Sequence, residues 1–182
     1  MRMLKAYFTD DDLAPEEFVA HRVREYLAAD AKMTAIFGSE RVRVLSVYVP
    51  TEFDPLPCHL IALSLSADEP APSLLRPTVT IYHVFKWSQS GTQFLADGEA
   101  GLATYWRHVN RVLSSGPAKL LQYEREDGKV VQTVARSEPG QVTTTPEGQL
   151  GDGAFVFRSV LPWVYELRLN PDGQVIRNLV NG

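Results

Sequence analysis

"AFVFRSVLPWVYELRL", residues 154–169, is the stretch on which the fold depends. Phe155, Phe157, Leu161, Trp163, Tyr165, Leu167 and Leu169 recur at period two, so an extended chain sets them all on one face. Pro162 lacks an N–H and marks an edge position or a bulge in that strand. On its C-terminal side, "NPDG" turns the chain toward a short last strand, "QVIRNLV". On its N-terminal side, residues 137–153 ("SEPGQVTTTPEGQLGDG") read as a polar loop rich in Gly, Pro and Thr. Before that, "LLQYEREDGKVVQTVAR" reads as a hairpin with Asp127-Gly128 as a two-residue turn.

Two helices frame the other strands. Val19, Val23, Tyr26 and Leu27 recur at helical spacing after Pro15, a residue suited to a first turn, and Glu16 and Glu17 favour the positive end of the dipole. Met33, Ile36 and Phe37 form a further apolar turn, which Gly38 ends. Leu102, Tyr105, Trp106, Val109, Val112 and Leu113 make the stripe of a second helix, which Ser114-Ser115-Gly116-Pro117 terminates. Between the helices lie "RVRVLSVYV", "CHLIALSLS" and "TVTIYHVFKW", three strands, the middle one apolar on both faces and therefore central. "ADEPAPSLLRP" is proline-rich and reads as irregular.

The expected fold is α+β: a mostly antiparallel sheet with two helices packed on one face, plus an inserted β-hairpin. Residues 1–182 form one domain, with 118–153 as a hairpin and loop insertion. The formal charge of −4 lacks the footprint of a general nucleic-acid binder. With one cysteine, Cys58, no intrachain disulfide can form, and no apolar run is long enough to span a bilayer. "MRMLKAYFTDDDLAPEEF" turns acidic too early for a secretory signal.

The chemistry-bearing residues form no motif. His21, His59, His83 and His108 lack metal-ligand spacing, and His108 has no carboxylate four residues away. Cys58 and His59 are adjacent on a strand and point to opposite faces, so a buried thiol is expected there. Asp10, Asp11 and Asp12 read as a solvated helix start, and "GQLGDGAF" lacks the lysine and helix of a phosphate loop. No catalytic, cofactor or metal residue is assigned, and no enzymatic activity is expected. Phe53, Leu74 and Leu75, apolar residues set among prolines, are the interface candidates.

"VREYLAADAKMTAIFGSERVRVL" resembles the start of the tail terminator and tail completion proteins of long-tailed bacteriophages. Leu27, Asp30, Ile36, Gly38, Arg41 and Val42 carry that pattern. "DPLPCHLIALSL", "RPTVTIYHVFKW", "DGEAGLATYWRHVNRVL" and "FRSVLPWVYELRL" are similar to the family's later strands and second helix, so that residues 15–115 and 154–170 follow its element order. The acidic N-terminal segment and residues 118–153 depart from it. The resemblance implies a structural virion protein made in the host cytoplasm. It assembles into a ring, usually a hexamer, that caps the tail tube and meets the head connector at the neck. Its partners are itself, the tail tube protein and the connector, with DNA only passing through the lumen; no membrane is involved. The alternatives are another neck component, such as a head-completion or connector adaptor protein, and a small ligand-binding or enzymatic α+β domain. The last would hold a pocket between the sheet and the second helix.

Overall fold

The computed structural model describes residues 13–33, 42–45, 58–63, 68–87, 102–149 and 155–180. The fold is α+β. Its helices are α1 (Pro15–Ala29), α2 (Leu102–Ser114) and a single turn, α3 (Gly116–Lys119). The strands before α2 are β1 (Val42–Leu45), β2 (Cys58–Leu63), β3 (Asp68–Ala71), β4 (Leu74–Arg76) and β5 (Thr78–Trp87). Those after α3 are β6 (Gln122–Glu124), β7 (Val130–Gln132), β8 (Val134–Pro139), β9 (Thr143–Gln149), β10 (Phe155–Arg168) and β11 (Asn178–Leu179).

The 154–169 stretch is the axis of the main sheet. β10 pairs antiparallel with β5 and β4 along one side and with β9 and β8 along the other. β2 pairs antiparallel with β5, and β1 joins β2 in parallel. β4 and β5 hold one register against β10, so they act as a single strand broken at Pro77, whose C=O still accepts the Tyr165 N–H at 3.0 Å. Val79, Ile81, Leu161, Trp163, Tyr165 and Leu167 share one face and are buried. α1 and α2 cover that face with Val19, Val23 and Leu27, and with Tyr105, Trp106, Val109 and Leu113. The packing of both helices on one face matches the pattern of their apolar stripes.

α1 starts at Pro15 without a side-chain cap, where the missing N–H of proline has no intrahelical partner to lose. It stops at Asp30, whose backbone turns extended and whose side chain accepts the N–H groups of Lys32 (3.1 Å) and Met33 (3.0 Å). That cap starts the short turn at 31–33, which drops Met33 into the core. Ile36, Phe37, Gly38 and Phe53 lie outside the described residues.

Several local expectations are corrected. Residues 68–76 are a hairpin, β3–β4, with Asp68 opposite Arg76. Its prolines are compatible with that: Pro70 lies on β3, which among the described residues pairs only with β4, Pro72 is in the turn, and Pro77 falls at the break before β5. The hairpin turn at 126–128 has three residues. The Arg125 N–H bonds the Lys129 C=O, the Gly128 N–H bonds the Arg125 C=O (both 2.9 Å), and Gly128 has φ +76°. Gly116-Pro117 opens α3 where termination of α2 is followed at once by another helical turn.

The largest correction concerns residues 118–153. The hairpin β6–β7 does form, but in a second sheet ordered β11–β7–β6, rooted in the core by Leu121, Val131 and Val134. Residues 134–149, expected largely as loop, instead run along β10 as β8 and β9. They break at Gly140, directly beside Pro162. There the Gly140 N–H bonds the Pro162 C=O at 2.7 Å, and a Cβ on Gly140 would stand 2.7 Å from Pro162 Cγ. Pro162 therefore turns its missing donor toward the one place where its neighbour strand is already interrupted, which lets a proline occupy an interior strand.

Candidate functional site

The face of the main sheet opposite the helices is lined by alternate residues that are half-buried: Thr78, Thr80 and Tyr82 on β5, and Arg158, Val160, Pro162, Val164 and Glu166 on β10. Among the described residues no helix lies on it. The period-two pattern that buries one set of side chains delivers this polar and charged set to the other side. The strand register aligns Arg76, Glu166 and Arg136 in one row across β4, β10 and β8. Arg76 donates from Nε (3.1 Å) and Nη2 (3.0 Å) to the same Glu166 oxygen, and Arg136 pairs with Glu138 at 2.9 Å. With Thr78 and Val164 these groups line a shallow hollow of about 420 Å³. Arg158 lies over the Tyr82 ring, 5.6 Å from its centre. Such a surface can meet another polar surface through cations and anions fixed in register.

The edges of the sheet are the second feature. Among the described residues, no strand pairs with the outer side of β1 or of β8 and β9. Residues 143–146 are exposed. The exposed large apolar side chains among the described residues are Val130, Ile176 and Leu179, all at the small sheet.

Of the interface candidates, Leu75 is a core residue of its own domain, 5% exposed, because β4 pairs with β10 and turns it toward the helices. Leu74 is half-buried on the opposite face, and Phe53 lies outside the described residues. Between the sheet and α2, where a ligand pocket would sit, described side chains of the two layers meet. His83 stacks on Tyr105 with ring centres 4.2 Å apart, and Trp106 Nε1 donates to Ser159 Oγ at 2.7 Å. Ser159 Oγ in turn bonds Thr144 Oγ1 at 3.0 Å.

The register sets His59 opposite His83 across β2 and β5. Among the described residues, no three His, Cys, Asp or Glu side chains gather as metal ligands. His108, which lacks a local carboxylate, finds one by folding: its Nε2 is 2.8 Å from Asp30 Oδ1, across the seam between α1 and α2. Partial burial alone would raise the Asp30 pKa. Hydrogen bonds from His108 and from the Met33 and Lys32 N–H groups outweigh it and hold the carboxyl below the ordinary aspartate range. A separation of 78 residues hid this pair from a search for local spacing.

Among the described residues no helix is long and apolar enough to cross a membrane. Neither a scan against protein-family models nor a search of curated proteins finds a match for this chain.

Proposed function

We propose that the chain is a structural virion protein of a long-tailed phage, which closes the end of the tail tube as a ring at the head–tail junction. The observation that carries this reading is the one-sided layering: both helices cover a single face of the main sheet, and the other face and outer edges carry no described element. An uncovered edge is a pairing template. A ring supplies the neighbour that covers it, with identical contacts at every step around the axis. The charge of −4 suits a lumen through which DNA slides, since negative groups repel phosphate. The role is non-catalytic, so Cys58→Ser or a single His→Gln replacement leaves assembly activity intact in a folded protein.

The test is mass measurement in solution with imaging, on the protein alone and mixed with purified tail tubes. The expected outcome is a closed cyclic oligomer, a hexamer, either free or templated on tube ends, with acidic or neutral groups facing the channel. A protein that stays monomeric and ignores tube ends would refute the reading.

A further inference from the structure

The seam between α1 and α2 holds a bridge of three polar side chains. His108 Nε2 lies 2.8 Å from Asp30 Oδ1, and His108 Nδ1 lies 2.7 Å from Arg111 Nη2. A guanidinium only donates, so Nδ1 must present a lone pair. An ionised carboxylate only accepts, so the ring proton sits on Nε2. The two contacts together fix the imidazole as the neutral Nε2–H tautomer, held between an anion and a cation.

Solvent reaches this bridge, since the His108 side chain is 14% exposed and that of Asp30 22%. Among the described residues, Asp30 and Arg111 are the charged groups bonded to the ring. Lys32, in the turn after α1, Arg107, on α2, and Lys119, on α3, are exposed. A proton added at Nδ1 removes the acceptor that Arg111 uses and sets two cations against each other. The same proton strengthens the bond to Asp30, because a charged donor then faces the carboxylate. Of the two contacts, the arginine is the one that breaks, since its side chain is exposed and can swing into water.

The geometry points to a proton-operated latch: acidification releases the Arg111 guanidinium from the helix seam while the His108–Asp30 bond holds the seam closed. Neutral solution ties Arg111 down, and acid presents it as a free cation on the helical side of the molecule.

Thermal unfolding of the full chain and of Arg111→Met, at pH 8 and pH 5, tests this. At pH 8 the substitution lowers Tm by roughly 1–2 °C, the scale of one exposed polar pair in a domain of this size. At pH 5 it leaves Tm unchanged or raises it, and in a His108→Gln background its effect no longer depends on pH. Equal Tm changes at both pH values in the otherwise native chain overturn the latch. Nitrogen NMR of the unsubstituted protein gives a second reading at pH 8, where Nδ1 is expected bare and Nε2 protonated. A proton on Nδ1 at pH 8 overturns the latch, even where the His108→Gln variant fails to fold.

Discussion

Tyr165 shows how much one atom can cost a core. Its ring is wholly buried, and its hydroxyl has no hydrogen-bond partner among the described residues. Burial, with a smaller contribution from nearby Tyr26, pushes the phenol well above its ordinary value of 10.0. The unfolded chain still ionises at the ordinary value. The folded state therefore keeps its full advantage below about pH 10 and loses it as pH rises further. Tyr165→Phe removes the orphaned hydroxyl and keeps the ring. It is expected to stabilise the protein by about 1 kcal/mol at pH 7 and to weaken the alkaline loss. Urea unfolding at pH 7 and pH 11 measures both, and a destabilised Phe variant would show that the hydroxyl is bonded after all. Trp106 is the opposite case. Its N–H is bonded to Ser159, so Trp106→Phe should cost about 2–3 kcal/mol through lost volume and the lost bond. In the same assay, an unchanged unfolding midpoint would place that bond outside the stability of the core.

At the scale of elements, the legible parts were those whose burial imposes a period. β10, β5, α1 and α2 each carry an uninterrupted apolar stripe, and each formed where its stripe lies. β9 was illegible because "TTTPEGQ" borders the sheet with exposed residues, so nothing in burial selects an alternation. β3 and β4 were hidden by the prolines around them, of which only Pro70 lies within either strand, on β3. The row Arg76–Glu166–Arg136 is written in three distant segments and exists only through the register, as does the Asp30–His108 pair. The Gly140–Pro162 contact can be tested as a unit. Gly140→Ala places a methyl 2.7 Å from Pro162 Cγ, so the strands must part, at about 1–3 kcal/mol. Pro162→Ala removes the obstructing ring atom and should recover most of that loss. A double-mutant cycle measured by denaturation would give a coupling of about 1 kcal/mol or more. Strictly additive effects would mean that the two residues do not constrain each other.

The whole molecule is two unequal sheets on one core. In the main sheet, β10 is paired on both sides and roofed by helices, so its amides open only when much of the structure opens. The small sheet is different. β11 contributes Asn178 and Leu179, both exposed, and Leu179 is 57% exposed. It is tied down by the Val180 N–H to the Val130 C=O at 3.0 Å, by the Ile176 N–H to the Arg168 C=O at 2.7 Å, and by Arg177 over the Phe18 ring. Arg22 clamps the same region from α1, 4.1 Å from the centre of the Tyr123 ring. Few apolar groups are buried by the terminal strand itself, so its opening free energy falls well below that of global unfolding. Native-state hydrogen exchange should rank the amides accordingly. Those of β5 and β10 near Ile81 and Leu161 exchange slowest, and those of β11 exchange fastest. On the ring reading, β8 and β9 gain protection when the chain assembles on tube ends, while β5 and β10 do not change. Protection that appears only in the small sheet on assembly would move the contact surface there, where Val130, Ile176 and Leu179 are already exposed.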